Sequence, residues 1–119
     1  MKREITDPII KKVLLTGKIS RVLDIGAGEG IDALACVKAG AKVDIIDNIQ
    51  PLREVLSNRD ITFIQTKIEN WPLPEKATYD LIILRSVLHF LEPNFVLKKL
   101  LPDIPNLLNQ IFQTSLNQI

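Results

Sequence analysis

The chain has 119 residues, 46% of them hydrophobic and 24% charged, with a formal net charge of +1. That length suits one small domain with one core, and the near-neutral balance offers neither a nucleic-acid surface nor a partner for polyacids. A lone cysteine, Cys36, excludes an internal disulfide, and no apolar run approaches the roughly 20 residues that span a bilayer.

Residues 1–7 are polar and lack the apolar centre of a signal peptide, so a cytoplasmic chain is expected. The spacing of Ile9, Ile10, Val13 and Leu14 predicts a helix over 7–16, with Asp7 as cap, Pro8 at its start and Gly17 at its stop. Residues 21–25 form a short apolar run that reads as a strand buried on both faces. It leads into Gly26, Gly28 and Gly30, and a helical pattern of Ala33, Leu34 and Val37 then runs to Gly40. Cys36 lies on the apolar side of that helix, as an inert thiol would. A glycine turn between strand and helix lets backbone approach a small ligand, and the helix start aims free N–H groups at the same place.

Residues 42–46 read as the second strand, with Asp47 at its carboxyl end, where parallel strands carry ligands. A carboxylate there can accept hydrogen bonds from both hydroxyls of a vicinal diol. The alternative is a turn-forming Asp before Asn48, and Asp44 is a second acid inside the strand, less well aimed. A short helix over 51–56, a polar turn over 57–60 and a third strand over 61–65 follow. A fourth strand over 79–84 is nearly all apolar. Beyond it, 93–101 reads as a helix closed by Pro102. Ile104, Leu107, Leu108, Ile111, Phe112, Leu116 and Ile119 then mark an amphipathic helix over 103–119, capped by Asp103.

Two ligand classes compete for the glycine turn. The dinucleotide spacing G-x-G-x-x-G fits Gly26 and Gly28 but meets Ile31 at its last position. The spacing acidic-x-G-x-G-x-G is met throughout by Asp24, Gly26, Gly28 and Gly30, and resembles motif I of the class I S-adenosylmethionine-dependent methyltransferases. The stretch 79–91, Tyr-Asp-Leu-Ile-Ile-Leu-Arg-Ser-Val-Leu-His-Phe-Leu, resembles motif IV of the small-molecule members. The resemblance covers residues 18–101.

It implies a single α/β domain over 1–119 with a Rossmann-like methyltransferase fold, its parallel sheet in order 3-2-1-4 and helices on both faces. Right-handed crossovers favour the same arrangement independently. It also implies a truncated fold, because Pro102-Asp103-Ile104-Pro105 stands where the family carries a Pro-Gly-Gly turn into a fifth strand. An apolar fourth strand with an open edge would then need cover from the last helix or from a second copy of the chain.

By the same resemblance the cofactor is S-adenosylmethionine. Asp24 would orient the turn and reach the methionine ammonium, Gly26, Ala27, Gly28 and Gly30 would admit backbone to it, and Asp47 with Asn48 would hold the ribose. Ile49 and the backbone of Ile68 would meet the adenine, and the Arg85 carbonyl would meet the ammonium. Lys67 is a departure: the family often places an Asp there for the adenine amine, and lysine cannot accept a hydrogen bond. Glu69 or the Ile68 backbone is left to do so. His89, the only histidine, is either a general base or structural. No metal cluster is visible. Methyl transfer to a small molecule is the expected function. The alternatives are a non-catalytic cofactor-binding or dimerisation module, and a dinucleotide-binding reductase fragment disfavoured by Ile31.

Overall fold

In a computed structural model, which describes residues 8–72 and 79–84, the buried apolar runs become four strands joined through helices. The elements in order are α1 (Pro8–Leu14), β1 (Arg21–Ile25), α2 (Ile31–Lys38), β2 (Lys42–Asp47), α3 (Arg53–Leu56), β3 (Ile61–Gln65) and β4 (Leu81–Ile83). A 3-10 turn, Ile68–Asn70, follows β3. The sheet order is β3-β2-β1-β4 and every pairing is parallel. This is the order expected from the sequence.

Alternation along the strands decides what each face carries. Val22, Val43, Ile45, Ile61, Leu81 and Ile83 share one face and pack with Ile10 of α1, Ala33 and Cys36 of α2 and Val55 of α3. All three described helices therefore lie against this face. Leu23, Ile25, Ile46 and Ile82 belong to the other face and are fully buried as well. Helices were expected on both faces; the two expected after β4, 93–101 and 103–119, lie outside the described residues. So does the Asp7 cap. Of the two surfaces on which pairing with a second copy was expected, β4 stands at one edge of the four described strands, and the last helix lies outside the described residues. Among the described residues, no helix is long and apolar enough to cross a membrane.

α1 ends at Leu14 and β4 at Ile83, short of the expected 16 and 84, and three further boundaries differ for a visible reason. β2 runs one residue further, to Asp47, because the Thr66 N–H donates to the Asp47 carbonyl at 3.0 Å and keeps the strand paired. α3 begins at Arg53 and not at 51, because the Leu52 N–H is taken by the Glu29 carbonyl at 3.0 Å, holding Leu52 extended. β4 starts at Leu81. Ahead of it Asp80 Oδ2 accepts from the Ser20 and Arg21 N–H groups at 2.9 and 3.0 Å, and its own N–H donates to the Arg21 carbonyl.

Candidate functional site

The carboxyl ends of parallel strands share one edge, and here β1 and β2 deliver the glycine turn and Asp47 to it together. The Gly26 N–H donates to the Ile46 carbonyl at 2.8 Å, continuing the ladder one step past β1. Gly26, Gly28 and Gly30 then take φ of 70°, 60° and 91°. Only glycine holds these values without cost, so the alternating glycines are a backbone requirement. Gly28 is exposed, Gly26 and Ala27 are half-buried, and Gly30 is buried as the residue preceding α2.

The Asp47 carboxylate binds this turn directly. Its Oδ2 accepts from the Gly28 N–H at 3.0 Å, and its Oδ1 accepts from the Ile49 N–H at 3.0 Å. A carboxylate offers about four acceptor sites, so two remain on a half-exposed group, enough for a pair of vicinal hydroxyls. Beside it Asn48 is exposed and Ile49 is 70% exposed, an apolar side chain held out at the ligand edge. Gln65, opposite Asp47 in β3, donates from Nε2 to the Asn48 carbonyl at 3.3 Å and steadies that loop.

Asp24 lies opposite Ile45 and so on the same face as Asp47. It was expected to reach a ligand; it is 2% exposed, two positions before Gly26. Burial pushes the Cys36 thiol up to about 12, with the Asp24 and Asp32 charges adding to the effect. The thiol is fully buried and inert, as expected from its place on α2.

Ile68 turns its side chain into the core at 5% exposure, and its carbonyl accepts from the Trp71 N–H at 3.1 Å. Lys67 is exposed and Glu69 half-buried, both beside the 3-10 turn. Arg85 and His89 lie outside the described residues. No cluster of metal-ligating side chains occurs among the described residues. Asp44, the alternative acid, is on the opposite face from Asp47, and its Oδ2 is engaged by Arg21 and Tyr79. The sequence reading missed two supports of the edge. Gln65 could have been found from its parity with Asp47 once register was known. The packing of Val55 and Pro51 on Gly30 had no signal in the sequence.

The edge residues fit a ribose-bearing ligand: an open glycine backbone, a half-exposed carboxylate with acceptor sites remaining and an exposed apolar wall. A family model described as a methyltransferase domain matches residues 22–110. The ribosomal protein arginine N-methyltransferase rmt3 of Schizosaccharomyces pombe is 42% identical over 71 residues, covering 53% of this chain and 13% of its own. Among solved structures, the 1,6-didemethyltoxoflavin-N1-methyltransferase of Burkholderia thailandensis, bound to its substrate and S-adenosylhomocysteine, is 22% identical with a TM-score of 0.66. That match covers 85% of this chain and 48% of the other. The YcgJ protein of Bacillus subtilis is 26% identical with a TM-score of 0.62, covering 86% of this chain and 46% of its own. The chain thus spans about half the length of these solved proteins.

Proposed function

Because the chain belongs to the methyltransferase domain family, we propose that it binds S-adenosylmethionine across the carboxyl edge of β1 and β2 and transfers its methyl group to a small-molecule acceptor. Bound there, the sulfonium supplies a methyl group already activated for transfer. Asp47 accepts the ribose hydroxyls on its remaining acceptor sites. The backbone of Gly26, Ala27 and Gly28 lies along the methionine portion, and Asn48 and Ile49 border the ribose and adenine. Asp24 supports the turn. Ile68 and Arg85 complete the cofactor's surroundings through their backbone, and His89 is a candidate base for the acceptor. The protein's remaining task is to place a nucleophile in line with the methyl carbon.

The observation that carries this reading is the hydrogen bond from the Gly28 N–H to Asp47 Oδ2, which joins the two motif acids' strands into one ligand edge. The small-molecule acceptor is supported by the sequence after β4, which reads Leu84-Arg85-Ser86-Val87 and not an Asn-Pro-Pro-Tyr-like run. The B. thailandensis protein is named for 1,6-didemethyltoxoflavin, whereas the S. pombe relative carries arginine methylation in its name.

Calorimetry with S-adenosylmethionine, S-adenosylhomocysteine and NAD on the wild type and Asp47→Ala tests the cofactor. The first two bind, and the substitution weakens them at least ~10-fold, about 1.4 kcal/mol. Tight NAD binding would reverse the assignment. For the acceptor, radiolabelled methyl transfer to a small-molecule panel is compared with transfer to arginine-rich ribosomal peptides; labelling of the peptides alone would sink the small-molecule reading. A second reading, a cofactor-binding or dimerisation module without turnover, draws on the chain matching only about half of the solved proteins. Binding without transfer to either panel would favour it.

A further inference from the structure

Three ties join residues 28–30 of the glycine turn to the stretch from Asp47 to Val55, and the Asp47 carboxylate is only one of them. The Leu52 N–H donates to the Glu29 carbonyl at 3.0 Å. Pro51 and Val55 close over Gly30, where a built Cβ would stand 2.7 Å from Val55 Cγ2, 3.0 Å from Val55 Cγ1 and 3.3 Å from Pro51 Cβ. Gly30 also closes the turn, its N–H donating to the Ala27 carbonyl at 3.1 Å and its carbonyl accepting from Leu34 at 3.0 Å. Whatever holds Gly30 therefore sets both the shape of the turn and the start of α2.

A turn with three alternating glycines has the most backbone freedom a chain can have, so its geometry must be imposed from outside. Hydrogen bonds supply two of the constraints. Packing supplies the third: valine is stiff at χ1, so its two methyl groups form a fixed surface. Val55 is fully buried and cannot swing away. α3 is four residues long, too short to be stable alone, and its buried residue is the one that meets Gly30.

We infer that Val55, backed by Pro51, is a positioning residue for the ligand edge, acting through Gly30 to hold the backbone of residues 26–28 in the geometry that receives the cofactor. The inference rests on the proposed cofactor reading for its effect on affinity, but its effect on the turn is independent of any ligand.

The test compares Val55→Ala with Val43→Ala, an equal truncation of an equally buried valine at the far end of β2. Hydrogen exchange in the ligand-free proteins is read at the Gly28, Gly30 and Leu52 amides, together with the Kd for S-adenosylhomocysteine and the Tm. Val55→Ala lowers protection at these amides at least ~5-fold beyond Val43→Ala and weakens S-adenosylhomocysteine ~5–10-fold. Val43→Ala lowers Tm comparably and leaves the Kd within about twofold. Val55→Thr, which keeps the branch at Cβ, restores most of the protection and serves if the alanine variant does not fold. Equal protection at the three amides in Val55→Ala and Val43→Ala, or lost protection in Val55→Thr, would overturn the inference. The expected loss of protection in Val55→Ala, together with a wild type that binds no S-adenosylhomocysteine, would leave the positioning role standing and defeat the cofactor reading instead.

Discussion

Two acids three positions apart on β2 face opposite ways and lead opposite lives. Asp44 is near the middle of the strand, and its Oδ2 accepts from Arg21 Nη2 at 3.2 Å and from the Tyr79 hydroxyl at 2.9 Å. The Arg21 guanidinium carbon lies 5.9 Å from the centre of the Tyr79 ring, within cation–π range. Tyr79 is 3% exposed, and its hydroxyl is pushed above its usual range by burial and by bonding to Asp44. Every partner in this clasp is a side chain of the protein. Asp47, at the strand's end, bonds only backbone N–H groups and keeps acceptor sites facing an open edge. A satisfied side-chain cluster fastens β1, β2 and the approach to β4. A carboxylate that braces backbone and still faces solvent can serve a ligand. Chemistry alone does not separate the two acids; their partners do.

The largest expected effect tests the groups that folding keeps neutral. Cys36 and Tyr79 both hold their protons more tightly folded than unfolded. Their contribution to stability is intact below pH about 9 and is lost as pH rises, for Cys36 from its ordinary 9.0 through about 12. For Cys36 that shift corresponds to roughly 4 kcal/mol. Urea unfolding between pH 8 and 12 measures it, and in Cys36→Ala the decline begins about a unit higher, where Tyr79 begins to titrate. A flat profile would show that neither group is desolvated as the fold implies.

Next comes Asp44→Ala, which leaves the buried Tyr79 hydroxyl without its acceptor. The expected loss of stability is about 1–3 kcal/mol, with S-adenosylhomocysteine affinity within about twofold of wild type. Arg21 adds little to this, because that side of the ion pair is 45% exposed. Asp47→Ala reverses the pattern: a loss of affinity of about 1.4 kcal/mol or more, with the smaller change in Tm. An Asp44 variant that lost the ligand, or an Asp47 variant that kept it, would break the contrast. The smallest effect belongs to Tyr79→Phe, which removes one hydrogen bond at the clasp. It should cost about 0.5–1.5 kcal/mol in urea unfolding and leave the ligand edge unchanged.

The strands were legible because their signals are local. Residues 21–25 are an apolar run and residues 61–65 alternate after a polar turn, and both strands occupy those spans. The glycine turn was legible for the same reason, since positive φ at Gly26, Gly28 and Gly30 narrows the choice of residue to almost one. α3 was less so. Pro51 and Leu52 have a helical pattern, yet the Leu52 N–H is committed to Glu29, and no local rule shows a bond made across the fold. The depth of Asp24 was hidden likewise, because a motif position states the residue and not its exposure.

By itself the sequence determined the succession of strands and helices, the glycine turn and the acid at the end of β2. Each follows from propensities and periodicities acting within a few residues. Only tertiary structure decided that Asp47 grips Gly28, that Asp44 is spent on Arg21 and Tyr79, and that Val55 rests on Gly30. These are contacts between segments 19 to 35 positions apart. Their energies depend on the register and facing of packed elements, which exist only once the sheet has formed.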